Sequence, residues 1–231
     1  LFNGGKEVLM RGALNKIIGG LGILLVAVPL AQAAVKKLNQ PFEAGGEIQA
    51  AEFAGISNAA TIVYLAKVNA AGPVSLFAVS TTGGAPIDLS GTIAGDVLSF
   101  KVTPAGDQVI YLARKDNALI AELYSVPIAG GASTKLNGVL IPGRNVLDFQ
   151  LSADGTQVAY RADQIGDEVF ELFAVPTSGG AATQISGALV PNGDVTANYG
   201  FHANGTNVVY IADQDTDDLN EVYTVTLGVP G

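Results

Sequence analysis

From residue 47 onward the chain alternates apolar and polar positions in short runs, and the runs recur. "IVYLA" stands at 62–66, "VIYLA" at 109–113, "VAYRA" at 158–162 and "VVYIA" at 208–212. The tyrosines Tyr64, Tyr111, Tyr160 and Tyr210 lie 47, 49 and 50 positions apart. Eleven residues before each stands an aromatic (Phe53, Phe100, Phe149, Tyr199), and thirteen after each stands another (Phe77, Tyr124, Phe173, Tyr223). A period of this length is the mark of a repeat architecture.

The third copy shows what each unit contains. "VLDFQLS" alternates faces as a strand, and "ADGT" supplies the Asp-Gly chemistry of a tight turn. "QVAYRA" is a second strand, "DQIGDE" a polar hairpin loop and "FELFAV" a third strand. "PTSGG" is a Pro/Gly turn, and "ATQIS" a small, polar, edge-like fourth strand. No segment after residue 34 sustains a helical period. The fold class is therefore all-β: a β-propeller of four-stranded antiparallel blades, with repeats near 47–91, 96–138, 145–187 and 194–231. Near-identity of "ELYSVPIAGG" (122–131) and "ELFAVPTSGG" (171–180) follows, because each blade buries the same faces against the next.

Residues 149–187 resemble the WD40-like (PD40) repeat of the TolB-type β-propellers: a turn after the first strand, an apolar strand with an aromatic, an Asp-rich hairpin, then Glu-Leu-aromatic and Gly-Gly. The family's Ser-Pro-Asp-Gly turn reads "SADG", "TPAG" and "HANG" here, with proline once and displaced. The resemblance spans roughly residues 45–231. It implies a propeller, and a family that is mostly non-catalytic with varied partners. No Gly-His or Trp-Asp dipeptide occurs, so WD40 proteins proper match less well.

The fourth copy stops at "VTLGVPG" with no fourth strand, while "VKKLNQPFEAGG" (35–46) reads like "STKLNGVLIPGR" (133–144). Val35–Asn39 is thus expected to supply the missing strand and hide two open edges. A longer chain with more blades, or two chains sharing an eight-bladed ring, fits the same pattern.

Ahead of the repeats, Met10 is followed by Arg11 and Lys16, an apolar run from Ile17 to Leu30 and the A-x-A sequence Ala31-Gln32-Ala33. These are the three parts of a secretory signal peptide at 10–33. The run is short and glycine-broken for a membrane span. Residues 1–9 are expected to be non-native translation of upstream DNA, since Lys6-Glu7-Val8 can be encoded by a ribosome-binding sequence. An exported protein results, in the periplasm, at the cell surface or secreted.

Composition narrows the chemistry. The chain of 231 residues has no Cys, which excludes disulfides, thiolate metal sites and a cysteine nucleophile. A formal net charge of −9 argues against nucleic acid as partner. Residues 146–231 hold twelve acids and one base, whereas 34–145 are neutral. That half is either a surface for a cation or basic partner, or a solvated one. Within it, Asp213, Asp215 and Asp217 stand at i, i+2 and i+4, like the start of a calcium loop. Asp218 occupies the position where that loop takes glycine, and the position-twelve Glu is replaced by Thr224. Calcium is the candidate cofactor, and the alternative is a polar hairpin loop.

Arg161 stands where the other copies have Leu65, Leu112 and Ile211. It is a candidate ligand contact in the central channel, or the partner of a neighbouring carboxylate. His202, the single histidine, falls at a turn position. A Ser-His-Asp triad would need it as base, and no G-x-S-x-G elbow, dinucleotide fingerprint or P-loop accompanies it. The expected function is a non-enzymatic, protein-binding or scaffolding propeller, monomeric or homodimeric. The alternatives are a calcium-binding surface module, a fragment of a larger repeat protein, or the accessory propeller of a carbohydrate- or peptide-active enzyme.

Overall fold

The structure, a computed structural model, describes residues 37–54, 61–203 and 205–228, with the side chains of 51–54 left aside. The expected leader at 10–33, residues 1–9 and Val35–Lys36 lie outside the described residues. Four antiparallel sheets follow one another along the chain, each a meander in chain order. The first holds β1 (Glu47–Ala54), β2 (Thr61–Lys67), β3 (Val74–Ser80) and β4 (Ile87–Asp88). The second holds β5 (Val97–Val102), β6 (Gln108–Ala113), β7 (Glu122–Pro127) and β8 (Thr134–Lys135). The third holds β9 (Val146–Leu151), β10 (Gln157–Ala162), β11 (Glu171–Pro176) and β12 (Thr183–Gln184). The fourth holds β13 (Val195–Phe201), β14 (Asn207–Ala212) and β15 (Glu221–Thr226).

Period-two patterning places alternate residues of each middle strand on opposite faces. Both faces of β2, β6 and β10 are largely buried, whereas β14 buries Val208, Tyr210 and Ala212 and leaves Val209 38% exposed on the other face. One apolar cluster joins Val63, Leu65 and Leu76 of the first sheet to Tyr111, Tyr124 and Val126 of the second. Another joins Ile110, Leu112 and Leu123 of the second to Tyr160, Phe173 and Val175 of the third. A third sets Leu172 of the third sheet against Val208, Tyr210 and Tyr223 of the fourth. Leu76, Leu123 and Leu172 are fully buried, each worth roughly 2 kcal/mol of transfer free energy. The aromatics thirteen apart stack across the middle strands, with centroids 5.3–5.5 Å apart in all four sheets.

The first strands repeat less faithfully. Phe100, Phe149 and Tyr199 stand opposite Tyr111, Tyr160 and Tyr210. In the first sheet Tyr64 stands opposite Ala51 instead, and Phe53 opposite Ile62. The turns after β5, β9 and β13 each place a glycine at positive φ, Gly106 at 67°, Gly155 at 73° and Gly205 at 72°. The first copy has Ala59 at the matching sequence position, without the residue that takes this conformation freely.

Candidate functional site

A four-stranded meander sends its connections alternately to two rims. One rim carries the β1–β2 and β3–β4 types of turn, which are glycine-rich, with Asp107 and Asp154 the charged residues in the described turns of sheets two to four. The other carries the hairpin loops 114–121, 163–170 and 213–220 and the sheet-to-sheet connections 89–96, 136–145 and 185–194. This second rim holds the charge. Its loops bring Arg114, Lys115 and Asp116 from the second sheet, Asp163, Asp167 and Glu168 from the third, and four aspartates from the fourth. Large apolar side chains stand exposed among them: Leu119, Val139, Ile141, Ile165 and Leu219.

The loops are held by side chains that replace backbone partners. Asp96, Asn145 and Asp194 accept from the N–H of Val74, Ala121 and Phe170 at 2.7–2.9 Å. In turn the N–H of Asn145 donates to Asp163 Oδ1 at 2.6 Å, and that of Asp194 to Asp213 Oδ1 at 2.5 Å. Each sheet is thereby clamped to the next at the same rim. Arg144 adds bonds from its Nη1 to the carbonyls of Gln164 and Ile165.

The three aspartates of the expected calcium loop have separate partners. Asp213 accepts from the N–H of Asp194 and, at 3.2 Å, of Asp218, and these bonds hold its carboxyl below the usual carboxylate range. Asp215 Oδ2 accepts from the Tyr223 hydroxyl at 3.2 Å. Asp217 Oδ2 accepts from Asn192 Nδ2 at 3.3 Å. Among the described residues no three carboxylate or imidazole groups converge as a cation cage. Asp218 itself adopts φ 63°, as Glu168 does at 53° in the cognate loop, so the third and fourth sheets share this turn.

Arg161 lies on β10, its side chain 16% exposed, and is fully engaged. Its Nη2 donates to Asp148 Oδ2 at 2.7 Å and its Nη1 to the Val195 carbonyl at 3.3 Å, while its guanidinium lies over the Phe170 ring. His202 donates its backbone N–H to the Asn207 carbonyl and accepts from Gly205, a turn role.

Sequence reading missed a network on the second sheet. Lys135 pairs with Glu122 at 2.7 Å and Asp116 at 2.8 Å, while the Tyr124 hydroxyl donates to Glu122 Oε2. On the fourth sheet the Tyr223 hydroxyl faces Glu221 and Asp215 in the same way, and no ion pair reaches either carboxylate among the described residues. Desolvation, then the neighbouring Glu221 and Asp215, push the Tyr223 hydroxyl up to about 12.

Repeated four-stranded meanders, stacked face on face, define a β-propeller fold. Solved structures agree. A puromycin-hydrolysing peptidase of Mycobacterium tuberculosis superposes with a TM-score of 0.53 at 14% identity, over 80% of this chain and 32% of the other. A prolyl endopeptidase gives 0.52 at 13% identity, over 80% and 28%. A protein assigned as TolB from Agrobacterium tumefaciens is similar at 19% identity, with a TM-score of 0.47 over 72% of this chain. The chain spans 57% of that TolB chain and about a third or less of the two peptidases. No family model matches the chain. No curated protein matches it. No helix of the described residues is long and apolar enough to cross a membrane.

Proposed function

We propose that the chain is an exported, non-enzymatic propeller that binds or scaffolds another protein through the rim of hairpin loops. One observation carries this reading: charge and large exposed apolar groups gather on one rim, while the opposite rim is nearly uncharged. Exposed apolar groups set among polar ones are the usual make-up of a protein-binding surface. The engaged side chain of Arg161 supports a binding role over catalysis. Export rests on the leader-like sequence at 10–33.

The test is capture from a cell-envelope extract by the immobilised chain, beside a variant carrying Leu119→Ser, Ile165→Ser and Leu219→Ser. All three side chains are more than half exposed, so folding should survive. A protein retained by the parent and lost by the variant supports the reading. Equal retention by both, or no enriched protein, overturns it. A second reading, the accessory propeller of a peptide-active enzyme, is favoured by the likeness to the two peptidases. It predicts that the parent retains peptide substrates instead.

A further inference from the structure

The fourth-strand segments of the chain are out of step with its sheets by one. Each of the first three sheets ends in a leucine or isoleucine that seats on the next sheet: Leu89, Leu136 and Ile185, followed four residues later by Ile93, Leu140 and Leu189. Leu38 and Phe42 have the same spacing and pack on Tyr64 and Phe77 of the first sheet. They sit there as Leu136 and Leu140 sit by Tyr160 and Phe173. Asn39 Nδ2 donates to the carbonyl of the next residue at 2.8 Å, as Asn137 Nδ2 does. Residues 37–42 thus already have the side-chain placement of a fourth strand and its connection, but belong to no sheet.

At the other end, β15 has no fourth strand among the described residues. In the three complete sheets the residue equivalent to Val222 receives two bonds. Its carbonyl accepts from the N–H of Leu89, Leu136 or Ile185, and its N–H donates to the side chain of Ser90, Asn137 or Ser186. Those residues, Leu76, Leu123 and Leu172, are 0% exposed, whereas Val222 is 71% exposed. The charges complete the match. Glu221, Asp215 and Tyr223 reproduce the trio that holds Lys135 of the sequence Lys135-Leu136-Asn137, and Lys37-Leu38-Asn39 repeats that sequence.

We infer that Lys37-Leu38-Asn39 of one copy pairs with β15 of a second copy, head to tail. Lys37 lies between Glu221 and Asp215, the Leu38 N–H donates to the Val222 carbonyl, and Asn39 Oδ1 accepts from the Val222 N–H. The occupant is a second copy because Leu38 and Phe42 are seated on the first sheet, and their cluster contains no residue of the fourth. Within one copy the two ends are unpaired: Val222 is 71% exposed and residues 37–42 belong to no sheet. A heterologous contact of this kind closes into a ring or runs on as a series.

Light scattering on the purified chain tests this. The parent is expected to show at least twice the chain mass. Val222→Asp should return it to a single-chain mass with an unchanged circular dichroism spectrum and melting point, because the residue is exposed within one copy. Lys37→Glu and Glu221→Lys should each weaken association tenfold or more through like-charge contact. Mixing those two variants should restore the assembly, since each end of one then meets the opposite charge on the other. A single-chain mass for the parent overturns the inference, including the case where Lys37→Glu lowers its melting point through pairing within one molecule. Assembly unaffected by Val222→Asp overturns the assigned contact. The loop rim is untouched by these substitutions, so retention of a partner there is read separately.

Discussion

Arg161 and Asp148 face each other across β10 and β9, with guanidinium Nη2 2.7 Å from carboxylate Oδ2, and the Tyr199 hydroxyl donates to the other oxygen at 2.6 Å. Asp148 therefore ties two sheets together, with Arg161 balancing its charge. Arg161→Leu should destabilise the fold by about 1–3 kcal/mol, because it leaves a partly covered carboxylate without its cation. The double variant Arg161→Leu with Asp148→Ser should recover part of that loss, since the second sheet pairs Leu112 with Ser99 at the same place. Chemical denaturation of the three proteins checks the order.

Asp213 serves two backbone N–H groups, so its contribution should not depend on a metal. Asp213→Ala is expected to lower the melting point equally in calcium and in chelator, and Asp213→Asn, which keeps an acceptor, should lower it less. Because its folded pKa is depressed, the contribution is present above the ordinary carboxylate pKa and is lost as pH falls through the folded value. A loss seen in calcium alone would instead establish the cation loop suggested by residues 213–217.

Tyr111 is fully buried, and desolvation pushes its hydroxyl up to about 12. Tyrosine in the unfolded chain ionises near pH ~10. The native state therefore holds this proton more tightly, and the associated stability is complete below that pH and drains as pH rises towards about 12. Melting points measured from pH 8 upward should hold level and then fall beyond about 10. Ultraviolet titration should show Tyr111 ionising together with unfolding.

Leu136 packs at the boundary of the second and third sheets, 1% exposed, in the cluster that holds Leu123, Tyr160 and Phe173. Leu136→Ala should cost about 2–5 kcal/mol, the range for a truncated core leucine. Denaturant midpoints at constant slope would report it. Val139→Ala, three residues on and 87% exposed, should be close to neutral.

The fold was legible because burial imposes a strict register. Tyr111 and Tyr124, or Tyr160 and Phe173, recur at fixed spacing because they stack across the same two strands. The register of β1 was not legible, since Phe53 keeps the eleven-residue spacing while its strand pairs two positions away. The acidity of residues 146–231 was readable, but not the way their loops are built. Asp213 looks like a cation ligand in sequence, yet its partner is an N–H nineteen residues upstream, which spacing does not encode. Likewise Lys135, Glu122 and Asp116 become one network only when β8 lies beside β7.

The outer strands β4, β8 and β12 are two residues long. Such an edge offers a passing chain too few free amides to nucleate cross-strand growth. This acts as protection against amyloid-like extension. β15, with six residues and no outer neighbour among the described ones, lacks that protection wherever a second copy does not cover it. Aggregation on heating or partial proteolysis should therefore start at β15, and a short peptide reading Lys-Lys-Leu-Asn should suppress it by capping that edge.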